Sequence, residues 1–219
     1  MKGTKKILII NGECLEYWDE SESLAWANAV PITEDDAQKT FQLTKTLFDS
    51  IDLKFSLAYG SLLGAIRDHG LIKGDEDIDI YIWQEDILWN NLIYLYNNGL
   101  KVCRAVPGEY YSFRVNDKAY IDVYVMRDLK KGIWKRSCYS LTGLNTPKKY
   151  FKGYHTIDFL GCSCLCPDNP EALLEFWYGK DWRIPKKGHN FYYEVKSAYY
   201  WHWIVKRVYK FVAPLIKKK

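Results

Sequence analysis

The order of patterned segments predicts an α/β or α+β domain, and three observations carry that reading. Thr33, followed by Glu34, Asp35 and Asp36 and then by Ala37, Phe41, Leu43, Thr44, Leu47 and Phe48, combines a capping residue, first-turn acids and helical spacing. Asp77 to Trp83 alternates with the period of two that a strand requires. Strand-like runs at 101–105, 110–115 and 120–126 then follow a helical stretch, so helices and strands alternate along the chain.

Taken in order, Ile7 to Ile10 predicts a first strand and Lys54 to Tyr59 a second. Ser61 to Asp68 reads as a short helix closed by Gly70, and Gln84 to Asn97 as a longer one ending at Asn98-Gly99. The basic stretch from Arg127 to Tyr154 predicts a loop-rich insertion, and Thr156 to Cys166 one further strand. Pro170 occupies the favoured first position of a helix that runs to Tyr178 before Gly179. A last helix is expected from Tyr192 to Val212, stopping before Pro214. No repeat or long linker interrupts the chain. Residues 1–190 are therefore expected to form one domain, and 191–219 a basic, aromatic C-terminal helix that joins it or lies at a membrane surface.

Composition narrows the possible functions. With 219 residues, 48% apolar and 26% charged, the chain can bury a sizeable core and is not of the disordered class. Nine Trp and eighteen Tyr suit stacking on sugars or bases, or a place at a lipid boundary. The net charge of +4 is concentrated after Phe191, where seven basic residues meet one acid, Glu194. That is not the continuous patch of a nucleic-acid binder. The first apolar run is too short for a signal peptide, and no stretch reaches the roughly 18 apolar residues of a membrane span, so a cytoplasmic protein is expected. Cys162, Cys164 and Cys166 alternate on one strand face and lack the Cys-x-x-Cys spacing of zinc sites, which favours packing over metal binding.

Chemistry concentrates between Ala58 and Ile80. Gly60-Ser61 falls between a strand and a helix, where free backbone amides and the helix dipole favour a phosphate. Arg67 lies about two helical turns further on, within reach of an anion. Asp75, Asp77 and Asp79 recur at every second position, so on a strand they share a face at about 7 Å intervals while Ile78, Ile80 and Ile82 line the other. Asp122, in Tyr120-Ile-Asp-Val-Tyr-Val-Met126, offers a third carboxylate from a neighbouring strand. Crowded carboxylates repel one another, and Mg²⁺ or Mn²⁺ would relieve that repulsion while keeping positions open for phosphate oxygens. Each feature alone has a bland reading: a tight turn, a solvated acidic loop, an acid paired with a nearby base.

Together these residues resemble the LicD family, the group that also contains fukutin and fukutin-related protein. The resemblance rests on Tyr59-Gly60-Ser61-Leu62-Leu63-Gly64-Ala65-Ile66-Arg67, Gly70-Leu71-Ile72, Asp75-Glu76-Asp77-Ile78-Asp79 and Ile121-Asp122-Val123. It continues through Cys166-Pro167-Asp168-Asn169-Pro170 to Tyr178-Gly179-Lys180-Asp181-Trp182 and Pro185. Lys73-Gly74 stands where the family often has Pro-Trp, a departure that bears on the donor pocket.

The resemblance implies a nucleotidyltransferase-like mixed sheet flanked by helices, with Mg²⁺ or Mn²⁺ as cofactor. It implies transfer of a phosphorylated alcohol, of the phosphocholine or alditol-phosphate kind, from a CDP-activated donor to a glycan hydroxyl with release of CMP. Asp77, Asp79 and Asp122 would be the catalytic and metal-holding residues. Tyr59, Gly60, Ser61, Gly64, Arg67 and Lys73 would bind substrate. Glycans or lipid-linked glycans are the implied acceptors, met at the inner face of a membrane through the C-terminal helix. Two other readings use the same residues: true nucleotidyl transfer, in which NMP moves to a sugar or small molecule, and a non-catalytic module at the membrane whose acids are structural.

Overall fold

A computed structural model describes residues 3–22, 24, 30–129, 138–141 and 144–186. The expected C-terminal helix lies outside these residues. The chain opens with a hairpin of β1 (Thr4–Ile10) and β2 (Glu13–Asp19). Its turn, Asn11-Gly12, has φ of 52° and 88°, the double left-handed geometry that two-residue hairpins favour. β2 was not expected from the sequence.

Helix α1 (Glu34–Ser50) begins where the cap predicts: the Thr33 side chain accepts from the Asp36 amide. β3 (Phe55–Leu57), α2 (Tyr59–Arg67) and β4 (Ile78–Ile82) follow. The single helix expected over 84–97 is two, α3 (Glu85–Asn90) and α4 (Leu92–Asn97), because Asn91 departs from helical geometry at φ −106° and ψ 7°. Strands β5 (Lys101–Val106), β6 (Tyr110–Arg114) and β7 (Tyr120–Val125) stand where their patterns predict.

The basic stretch expected as a loop-rich insertion contains β8 (Arg127–Asp128), β9 (Cys138–Leu141), β10 (Leu144–Pro147) and a 3₁₀ turn at Lys148–Phe151. The first two pairings, β8 with β9 and β9 with β10, make a small sheet of their own. The one strand expected at 156–166 is a hairpin, β11 (Tyr154–Phe159) and β12 (Cys162–Pro167), turning at Leu160-Gly161 with φ of 48° and 75°. Helix α5 (Pro170–Tyr178) completes the described fold, its Asn169 side chain capping the Ala172 amide.

The main sheet has seven strands in the order β11-β12-β3-β4-β7-β6-β5. It is mixed: β4 runs parallel to β7 and β12 to β3, and the other neighbours are antiparallel. One face packs on α1, where Phe41 and Phe48 meet Phe55, Phe113 and Phe159 edge to face at centroid distances of 5.3–6.5 Å. Ile78, Ile80, Ile82, Ile121 and Val123 are fully buried in the same core. The opposite face is polar near its centre and is partly covered by α2 and α5, with Tyr59 packed on Trp177 at 4.9 Å. Cys164 and Cys166 are buried, and burial pushes both thiols up to about 12, as packing residues rather than reactive ones.

Gly64 is a point of close approach. A Cβ there would stand 2.5 Å from the Gly70 carbonyl oxygen and 3.1 Å from Ile72. Gly64→Ala is therefore expected to destabilise by about 1–3 kcal/mol through overpacking, read as a lower urea midpoint with an unchanged far-ultraviolet spectrum.

Candidate active site

The parallel pairing of β4 with β7 sets Asp79 directly beside Asp122. Asp77 sits just before β4 and reaches the same point. One ligand oxygen from each of Asp77, Asp79 and Asp122 can be chosen so that all lie within 4.8 Å of one another. β4 begins only at Ile78, so Asp75 and Asp77 lie in the approach to the strand, and Asp77 still meets Asp79 as the alternation suggests. Asp75 lies against Gly60, where a Cβ would be 3.0 Å from its Oδ2.

The loop–helix junction holds Asp79. The Gly60 amide donates to Asp79 Oδ2 at 2.9 Å, the Asp79 amide donates to Ser61 Oγ at 2.8 Å, and the Tyr124 hydroxyl donates to Oδ1 at 3.0 Å. Gly60 is required for this closeness, since a Cβ would stand 3.1 Å from Asp79 Oδ2. The sequence suggests a phosphate cradle here; in the structure both groups are engaged with a carboxylate and its backbone. Tyr59 starts α2 at a strained φ of +34°, held by its hydroxyl bond to the Leu141 carbonyl and its edge-to-face contact with Tyr124. Gly64 is buried in α2. The Arg67 guanidinium makes a fork with Asp68, at 2.9 and 2.7 Å, and Lys73 is exposed.

Asp122 is gripped by a residue the sequence reading missed. Nη2 of Arg104 donates to Oδ1 and Oδ2 at 2.8 and 2.7 Å, and its Nε donates to Ser112 Oγ at 2.8 Å. Ser112 in turn donates to Asp122 Oδ1. Plain alternation would put Arg104 on the same face as Val102. A bulge between Val102 and Arg104 reverses it onto the acid face, opposite Ser112.

Burial raises the proton affinity of Asp77 and Asp79. It pushes Asp79 up to about 8, aided by repulsion from Asp75 and Asp122. Asp77 is pushed well above the usual carboxylate range, first by burial and then by Asp79 and Asp122. For Asp79 the sign follows from linkage: between its unfolded value near 4 and its folded value near 8, the folded protein keeps a proton the unfolded chain has lost. Without metal, this group therefore makes folding stability fall as pH rises from 4 to 8, by up to about 1.4 kcal/mol per pH unit. Urea midpoints across that range, with chelator present, check this; a divalent ion should flatten the slope.

The chain's family is defined by comparison with known proteins. Residues 52–169, more than half of the chain, match the family model described as LicD/FKTN/FKRP, nucleotidyltransferase domain. The chain belongs to this family. It is 24% identical over 158 residues to the human ribitol-5-phosphate transferase FKTN, and 23% to the mouse protein, covering 69% of this chain. It spans about a third of the length of those relatives, 34%. Two solved structures are similar to the chain at a low level. The lincomycin-bound lincosamide adenylyltransferase LnuA has 14% identity and a TM-score of 0.47, over 77% of this chain and 97% of its own. The antibiotic-resistance factor ANT(2'')-Ia has 11% identity and a TM-score of 0.48, over 85% and 97%. Among the described residues, no helix is long and apolar enough to cross a membrane.

Proposed function

We propose that this domain transfers a phosphorylated alcohol from a CDP-activated donor to a glycan hydroxyl and releases CMP. The observation that best supports it is the convergence of Asp77, Asp79 and Asp122 on one point in a LicD-family domain. The donor set suits Mg²⁺ or Mn²⁺: all three ligands are hard carboxylate oxygens, two carry a raised proton affinity, and Arg104 offsets only one of the three charges. A divalent ion bound by these acids would neutralise charge on the diphosphate and on the departing CMP.

The rest is positioning by the chain itself. Gly60, Ser61 and Tyr124 fix Asp79, and Arg104 and Ser112 fix Asp122 as a metal ligand. Tyr59 closes the wall beside Tyr124. Arg67, by exchanging Asp68 for the donor's phosphates, and the exposed Lys73 supply cations. The acceptor oxygen attacks phosphorus in line with the bond to CMP, and its proton passes to a cluster carboxylate. Residues 191–219, basic and aromatic, would meet the membrane where acceptors are lipid-linked. Residues 1–190 serve as the catalytic unit.

The test is a panel of CDP-alcohols, CDP-choline and CDP-ribitol included, incubated with glycan acceptors and Mg²⁺. CMP release that requires acceptor and metal supports the proposal. Cytidine found on the acceptor product would instead establish nucleotidyl transfer, and inertness with every donor would favour a binding module.

A further inference from the structure

We propose that Arg104 is a positioning residue that acts as the acid cluster's own counter-cation, setting the net charge with which Asp77, Asp79 and Asp122 meet a divalent ion. The proposal rests on the metal-holding role given to those acids above.

The sheet builds the arrangement directly. Strand register places Arg104 opposite Ser112, Ser112 opposite Asp122, and Asp122 opposite Asp79, one row across four strands. Arg104 is a built-in part of that row rather than a surface ion pair: its side chain is 14% exposed and Asp122's 7%. The guanidinium carbon lies 5.5 Å from the Tyr110 ring and 5.6 Å from the Tyr120 ring, and both faces add cation–π attraction. Asp122 Oδ1 accepts from Arg104 and Ser112, and Oδ2 accepts from Arg104, so the guanidinium spans both oxygens of the carboxylate.

The bulge that aims Arg104 is itself braced. The Cys103 carbonyl accepts from the Glu20 amide at 2.8 Å, and Glu20 pairs with Arg114 at 2.9 Å. Glu20 directly follows the N-terminal hairpin, so a segment outside the matched family domain at 52–169 supports the residue that grips Asp122.

Once a cation has displaced their protons, the three ligand carboxylates carry −3, which the guanidinium brings to −2; Asp75 alongside is the same with or without Arg104. Removing the guanidinium leaves −3. If charge governs, Arg104→Gln binds cation more tightly; if the clamp on Asp122 governs, it binds more weakly. The proposal takes the first side, because a fixed positive charge a few ångströms away in a buried site opposes the ion directly.

Calorimetry with Mn²⁺ on the folded chain tests it. Arg104→Gln should bind at least about 10-fold more tightly than wild type and show a larger Mn²⁺-induced rise in Tm, whereas Arg104→Lys should stay within about threefold. Unchanged or weaker binding in Arg104→Gln, or equal tightening in Arg104→Lys, overturns the role. Should Arg104→Gln fail to fold, the wild-type Arg104 Nε resonance decides: it should shift on Mg²⁺ addition with the calorimetric Kd, and its indifference overturns the role. Wild type that binds no Mn²⁺ would defeat the metal-holding reading itself, a different failure from wild type that binds while Arg104→Gln gains nothing.

Discussion

Asp79→Asn is expected to lose at least about 10³-fold in transfer while becoming more stable than wild type without metal. The loss follows from removing a charged ligand at the point where donor charge must be neutralised, a contribution of several kcal/mol. The gain follows from burial. Above pH 8 the wild-type fold must hold an ionised Asp79 beside Asp75 and Asp122, which burial disfavours. An amide removes that cost and keeps the contacts: its oxygen can accept from the Gly60 amide, and its nitrogen can donate to the Tyr124 hydroxyl oxygen. Thermal melts in chelator at pH 9, alongside CMP-release assays, check both halves. A destabilised Asp79→Asn would show that the carboxylate is compensated by something other than a bound cation.

Asp122→Asn should lose activity by a similar factor with the opposite effect on stability. Asp122 is the partner of a buried guanidinium, held through two contacts at 2.7–2.8 Å. Neutralising it leaves Arg104 without a counter-charge beside two Tyr rings, and removing one partner of a buried pair costs about 3–5 kcal/mol. The unpaired cation would also repel metal, so added Mn²⁺ should not restore Tm. Two acids paired across adjacent strands are thus expected to respond with opposite signs in metal-free melts. A shared sign would mean that Arg104 does not distinguish them.

Those two aspartates show how far the sequence carries. Asp79 and Asp122 were legible because each sits in a β-branched strand with clean alternation, and the branched residues are fully or nearly fully buried in the core. The Thr33 and Pro170 helix starts were legible for the same local reason, a cap or a ring that acts within one turn. Arg104 was not legible, because its orientation depends on a register shift against β6 and no local pattern announces it. Asp77, one residue before β4, was legible from the same alternation as Asp79, and it reaches the cluster beside Asp79. Leu160-Gly161 turns a hairpin without the Asn or Asp that normally signals one, so β11 and β12 read as a single strand. Gly60 and Ser61 were recognised as special, yet the partner they engage, Asp79, is 18–19 residues away and became visible only in the fold.

The most direct measurement is Mn²⁺ titration of the wild-type domain and of Asp79→Asn at pH 8, followed by calorimetry or by loss of the free-ion paramagnetic signal. Saturable binding to the wild type that is lost in Asp79→Asn is the predicted result. Wild type that binds no ion, or an Asp79→Asn variant that binds it equally well, would contradict the claim that these carboxylates form a cation site.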